Sequence, residues 1–126
     1  MTVIKNGLIH DVVHKEPYVA DIQFENGKIT AIGKDLQDED VVDAKGLHVY
    51  PGFIDAHSHL GLDGYGIGFE GQDYNEMGDI CTPQMRAIDS FNPLDPSVKM
   101  AAEGGVTCVA TGQGSSNAIG GTWIAV

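Results

Sequence analysis

Across residues 20–25 apolar and polar side chains alternate, with Ala20, Ile22 and Phe24 set against Asp21, Gln23 and Glu25. That is the period of a half-buried strand. Asn26-Gly27 comes next, followed by Ile29 and Ile32. The pattern predicts a hairpin, because a type I′ turn needs positive φ at both central residues. Val3 and Ile4 are separated from Leu8 and Ile9 by another turn-forming pair, Asn6-Gly7. Val41-Val42 and the apolar Leu47 and Val49 flank a turn at Ala44-Lys45-Gly46. Residues 1–50 therefore read as a small antiparallel β unit made of hairpins.

Pro51 and Gly52 punctuate the chain, and the pattern then changes. Residues 53–57, Phe-Ile-Asp-Ala-His, are apolar on both sides, as expected of a strand buried in a parallel sheet. Residues 60–80 hold six glycines among acidic side chains, a long loop of the kind that is functional or mobile. Thr82 as a cap, with Pro83 in the first helical position, predicts a helix carrying Met85 and Ile88 on one face and stopped at Asn92-Pro93. Asp95 and Pro96 start a second helix, whose Val98, Ala101 and Ala102 share a face and which Gly104-Gly105 ends. Residues 106–111 form the next buried strand. Strand, helix and strand in that order predict a parallel βαβ unit with a right-handed crossover. Residues 122–126 begin another apolar, strand-like run at the very end of the sequence. An exposed hydrophobic edge invites pairing with other chains, so the expectation is a truncated chain that self-associates or forms a homo-oligomer.

Composition narrows the picture. The 126 residues are too few for a complete barrel of eight strand–helix units, which needs roughly 200 or more. No apolar run approaches the roughly 18 residues of a membrane-spanning helix, and residues 1–10 lack a secretory signal pattern, so a cytoplasmic protein is expected. A net charge of −11 argues against nucleic-acid and anionic-membrane partners, which need clustered lysine and arginine. The acidic group at Asp35, Asp38, Glu39, Asp40 and Asp43 reads as a solvated turn. Cys81 and Cys108 form no C-x-x-C pair, and Cys108, in an apolar run, reads as a buried structural thiol.

The chemistry concentrates at residues 51–59, Pro-Gly-Phe-Ile-Asp-Ala-His-Ser-His. Side chains alternate along a strand, so His57 and His59 point the same way and can share one divalent cation. Imidazole suits Zn, Fe and Ni, and less selectively Mn. Asp55 lies on the same face and is a candidate to orient a ligand histidine. A bare His-x-His is a weak sign taken alone; the strand before it and the β unit before that make it a strong one. His10, His14 and His48 have no partner at ligand spacing and read as surface or structural. The loop after the 106–111 strand, with Gly114, Ser115, Ser116 and Asn117, is a plain turn or a possible substrate loop whose amides contact an anion. Asn75 and Glu76 are either exposed loop polarity or pocket lining.

Tyr50-Pro51-Gly52-Phe53-Ile54-Asp55-Ala56-His57-Ser58-His59 resembles the signature of the amidohydrolase superfamily at the end of its first barrel strand. Asn26-Gly27-Lys28-Ile29 and Asp43-Ala44-Lys45-Gly46 resemble that family's N-terminal sandwich segment. Tyr74-Asn75-Glu76-Met77, the run from Thr82 to Asp89, Gly104-Gly105-Val106-Thr107 and the run from Gly114 to Gly121 are similar to an imidazolonepropionase-related subgroup. The resemblance implies an α/β fold: a β-sandwich-like unit over residues 1–50 and the start of an incomplete (β/α)8 TIM barrel over 51–126. It implies a metal-dependent hydrolase of amide or cyclic amide C–N bonds in a small-molecule substrate. His57 and His59 would be metal ligands, with zinc the expected metal. A bridging Lys or Glu, two more histidines and a catalytic Asp would come from later strands, and residues 60–126 contain no histidine. The chain alone is therefore expected to be inactive. A carbohydrate N-deacetylase fragment and a non-catalytic β module with an interaction role are the alternatives.

Overall fold

Strand β1 (Thr2–Ile9) runs through Asn6-Gly7 without turning. Asn6 adopts a left-handed φ of 61°, and the pairing with β2 (Tyr18–Glu25) shifts register between Ile4 and Gly7. The sequence pattern predicts a turn there; the chain makes a β-bulge instead. The cause sits on β2: Asp21 is only 4% exposed, and its carboxylate accepts the bulged Asn6 N–H at 2.8 Å and the Leu36 N–H at 3.2 Å. A buried carboxylate must be satisfied, and the bulge delivers the amide that does it. The predicted hairpin is present between β2 and β3 (Lys28–Gly33), with φ of 51° at Asn26 and 73° at Gly27.

Beyond β3 the expectation of antiparallel hairpins fails. Both β4 (Asp40–Asp43) and β5 (His48–Val49) pair parallel to β1, giving a mixed sheet ordered β3-β2-β1-β4, with β5 also on β1. The Ala44-Lys45-Gly46 turn is real, with Leu47 N–H bonded to the Ala44 carbonyl at 2.9 Å. It joins two strands laid end to end along one edge of β1. Ile9, Ala20 and Ile22 form the core here, covered by Ile4, Tyr18 and Val49.

The structure is a computed structural model describing residues 1–126, which group into two units, Met1–Pro51 and Gly52–Val126. In the second, β6 (Phe53–Ser58) pairs parallel with β7 (Val106–Thr111), and β8 (Ile124–Ala125) pairs antiparallel with β7. The predicted parallel pair is thus present. Its first strand is not buried on both faces: β6 has one neighbour, and Phe53 and Ile54 are exposed. Cys108 is half-buried, not fully enclosed. Residues 60–80 are irregular apart from one 3₁₀ turn, Phe69–Gly71. No helix is long and apolar enough to cross a membrane.

Of the two expected helices, the first shrinks to α1 (Ala87–Ser90). Thr82 does not cap it. Its N–H and hydroxyl both donate to the Ile119 carbonyl, at 2.7 and 3.2 Å, and the Thr122 N–H donates to the Met85 carbonyl at 3.0 Å. Tertiary bonding to residues 119–122 overrides the local helix signal.

Helix α2 (Pro96–Glu103) begins as predicted. Asp95 accepts from the Ser97 N–H at 2.9 Å, the Ser97 hydroxyl at 2.6 Å and the Tyr65 N–H at 2.9 Å. The Ser97 hydroxyl bond, helped by both amides, holds its carboxyl pKa below the ordinary 3.8. Asp95→Ala removes a cap and orphans the Tyr65 amide, at an expected cost of about 2 kcal/mol by chemical denaturation. Because the folded pKa is depressed, the carboxylate's contribution is whole above the unfolded pKa. It is lost as pH falls from about 4 through the folded value. The stability difference between wild type and Asp95→Asn should accordingly narrow below pH 4.

Candidate metal centre

His57 is the penultimate residue of β6 and His59 lies just beyond its end. Their ring centroids are 5.8 Å apart, so the period of the strand does bring both imidazoles to one place. Each ring is set by a neighbour distant in sequence. The Trp123 ring meets His57 edge-on at 4.5 Å, and Tyr74 stacks on His59 at 4.8 Å with planes 8° apart.

One hydrogen bond decides the tautomer of His59. Its Nδ1 is 2.7 Å from the Gly112 carbonyl oxygen. A carbonyl only accepts, so Nδ1 carries a proton, and in the neutral ring Nε2 keeps its lone pair. A ligand histidine needs this state, and a backbone carbonyl on the far ring nitrogen is a common way to enforce it. Gly112 is held in turn by its own N–H, bonded to the Ser58 carbonyl at 3.2 Å.

Asp55 plays another part than the one expected. Its carboxylate accepts the main-chain N–H of His57 at 3.1 Å and orients the backbone, not an imidazole. The possible substrate loop also turns inward. The Gly114 N–H donates to the Tyr74 carbonyl at 2.6 Å, and the Asn117 side-chain amide donates to the Glu76 and Asp79 carbonyls at 2.9 and 2.7 Å. Ser115 and Ser116 are exposed. The loop thus fastens residues 74–79 beside His59. The Gly114 amide is committed to that, and the Gly112 amide to the Ser58 carbonyl.

Sequence reasoning missed Tyr74, Gly112 and Trp123. A glycine just past a buried strand and the chain's single tryptophan were the available signals. It also missed a histidine pair in the first unit. Parallel pairing of β5 with β1 brings His10 Nε2 to 2.8 Å from His48 Nδ1, with Tyr50 stacked on His10 at 4.3 Å. His14 pairs with Asp11 at 2.9 Å. Bonds from His14, main chain first, and from Tyr18 hold the Asp11 carboxyl well below the carboxylate range.

No cluster of three or more histidine, cysteine or carboxylate side chains poised for a metal ion occurs in residues 1–126. The donors present fit part of a metal site: one imidazole with its tautomer fixed and a second beside it.

No family profile matches the chain. It is 36% identical to the amidohydrolase tasK of Hapsidospora irregularis over 111 residues, which are 82% of this chain and 11% of that protein. It is 49% identical to an allantoinase of Escherichia coli O1:K1 over 63 residues, 49% of this chain and 14% of that one. The crystal structure of an amidohydrolase from Thermotoga maritima superposes on the whole chain with a TM-score of 0.88 at 38% identity, and the chain spans 33% of it. The chain therefore covers from about a tenth to a third of the proteins it matches. Identity of 36% over most of the chain, together with superposition along the full length, leads to one conclusion: the chain belongs to the amidohydrolase superfamily.

Proposed function

We propose that this chain contributes His57 and His59 as metal ligands to a hydrolase acting on C–N bonds of amides or cyclic amides other than peptides. The observation that carries the proposal is the Nδ1–H bond from His59 to the Gly112 carbonyl, which leaves Nε2 for a metal. The amidohydrolase and allantoinase names of its relatives support this class over a carbohydrate N-deacetylase or an interaction module. On this reading β6 and β7 are the first strands of a (β/α)8 barrel, and Met1–Pro51 is its sandwich segment. The remaining ligands and the catalytic carboxylate lie in parts of the longer relatives that this chain does not span. The imidazolonepropionase-related subgroup is kept as the narrower proposal for the loops at 74–89 and 114–121.

Zinc is the proposed metal, with Fe, Mn and Ni also open to imidazole donors. When bound, it would supply Lewis acidity to a substrate carbonyl and a water with a pKa of about 7. The chain's own work is to position. Tyr74 and Trp123 fix the planes of the two rings, Gly112 fixes a proton on His59 Nδ1, and Asp55 fixes the main chain of His57.

Titration with Co²⁺, read by its visible absorption, tests the proposal. The expected result is weak binding of one ion per chain, reduced about tenfold or more by either His57→Ala or His59→Ala. Hydrolysis of cyclic amides by the chain alone is expected to be undetectable. Unchanged Co²⁺ binding in both variants would refute the ligand assignment. Chelator-sensitive turnover by this chain, lost in His57→Ala, would refute its inactivity.

A further inference from the structure

A second pair of imidazoles meets at the C-terminal end of β1, within the Met1–Pro51 unit. Parallel pairing sets His48 opposite Leu8 and Val49 opposite Ile9. Side chains alternate along a strand, so His10, His48 and Tyr50 leave the sheet on one face, with His10 the diagonal neighbour of His48. The main chain beneath them is fixed on both sides. The Leu8 N–H donates to the Leu47 carbonyl at 3.0 Å, and the His10 N–H donates to the Val49 carbonyl at 2.9 Å. This brings His10 Nε2 to 2.8 Å from His48 Nδ1. The ring planes are 18° apart and their centroids 5.0 Å apart, so the rings meet edge to edge, and Tyr50 stacks on His10 at 4.3 Å.

Two histidine nitrogens this close either hold a hydrogen bond or share a metal ion. The bond needs an N–H on one of them. Each neutral imidazole has a second nitrogen that can carry its proton. Moving the donor's proton there, to His10 Nδ1 or His48 Nε2, puts two lone pairs at the contact without any net loss of protons. Both rings must also turn to aim at one point, and His48 is exposed, which leaves room for that. Asp11, next in the chain to His10, is held by His14 and Tyr18, so the donors at the contact are the two neutral nitrogens. Their spacing selects the metal. With metal–nitrogen bonds of about 2.0–2.1 Å, nitrogens 2.8 Å apart subtend about 85–90° at the ion, whereas tetrahedral zinc would hold them about 3.3 Å apart. Adjacent corners of a square-planar or tetragonal site have that angle, the geometry that nitrogen donors give Cu(II) and Ni(II). We infer that His10 and His48 chelate one tetragonal divalent ion, Cu²⁺ ahead of Ni²⁺, and so pin the two-residue strand β5 to the end of β1.

Cu²⁺ stands above Co²⁺ in affinity for such donors, which makes it the probe. The test uses the full chain carrying His57→Ala and His59→Ala, so that the first histidine pair holds nothing. Cu²⁺ is added at neutral pH and read by electron paramagnetic resonance. The expected spectrum is that of one ion with two equatorial nitrogens. Adding His10→Ala or His48→Ala should leave one nitrogen and weaken binding about tenfold or more, because the second ligand no longer acts within the same molecule. His48→Gln removes the nitrogen ligand but keeps a hydrogen-bonding partner for His10, and it takes the place of an alanine variant that does not fold. In the wild-type background the same substitutions should lower the number of Cu²⁺ ions bound by one, which serves if the starting variant does not fold. His14→Ala, the remaining histidine of this unit, should change neither the spectrum nor the affinity. An unchanged nitrogen count and affinity in the His10 and His48 variants, or an equal loss in His14→Ala, would overturn the inference.

Discussion

Gly121→Ala will cost the Gly52–Val126 unit about 2–6 kcal/mol, about half of the roughly 4–11 kcal/mol expected of a unit this size. Two independent penalties add. The residue has φ of 102°, which a side chain tolerates poorly. An added Cβ would also overlap the Met85 carbonyl oxygen and lie 3.1 Å from the Thr82 carbonyl oxygen. Both are backbone atoms, and neither is at liberty to move. The Met85 carbonyl accepts from Thr122, and Thr122 in turn accepts the Ala87 N–H at 3.0 Å. These bonds tie residues 82–87 to 119–122, so relieving the overlap means breaking them. Gly27→Ala is the matched control: φ is 73° there, with nothing within 4 Å of the new methyl. It should cost only the strain, about 1 kcal/mol. Urea unfolding monitored by circular dichroism separates the two. Equal losses in both variants would show that residues 82–87 and 119–122 do not pack as described.

The contrast between those glycines shows what a sequence discloses. Asn26-Gly27 is a local device whose turn needs only two positive φ angles, and it folds as the pattern says. Asp95 and Pro96 are equally local, and helix α2 starts at them. The His57–His59 pair was legible for the same reason, since a strand's period of two is set by its own backbone. Signals failed where a distant partner decided the outcome. Thr82-Pro83 has the local pattern of a helix start, but Ile119 claims its N–H and hydroxyl. Asn6-Gly7 has the pattern of a turn, but the Asp21 carboxylate claims its amide. The parallel placement of β4 and β5 rests on a return across β1 that nothing in residues 34–39 announces. At the candidate site the two histidines were readable and the residues that support them were not. Tyr74, Gly112 and Trp123 reach His57 and His59 from 15 to 66 residues away, beyond any local period.

Gly112→Ala tests those supports without touching either histidine. The glycine packs against the face of Trp123: an added methyl would overlap Cγ and Cδ2 of the indole and lie 2.7 Å from Cδ1. An indole ring on a short stem cannot bend aside as a lysine tip can, so either Trp123 or the Gly112 backbone must shift. If Trp123 moves, His57 loses the ring it meets at 4.5 Å; if the backbone moves, His59 loses the carbonyl that fixes its tautomer. The expected cost is about 1–3 kcal/mol, typical of inserting one methyl into a packed position. Trp123 is the sole tryptophan, so its emission reports the site directly. A red shift of that emission in the folded variant is expected, with Co²⁺ binding weakened about tenfold, as losing a partner of a metal-bound histidine does elsewhere. Gly46→Ala, at φ of 81° and far from the site in sequence, has nothing within 4 Å of its new methyl. It should lower stability without changing the emission or the affinity for Co²⁺. If Gly112→Ala loses stability only, with emission and Co²⁺ affinity both preserved, the histidine pair does not depend on the carbonyl of Gly112 and the ring of Trp123.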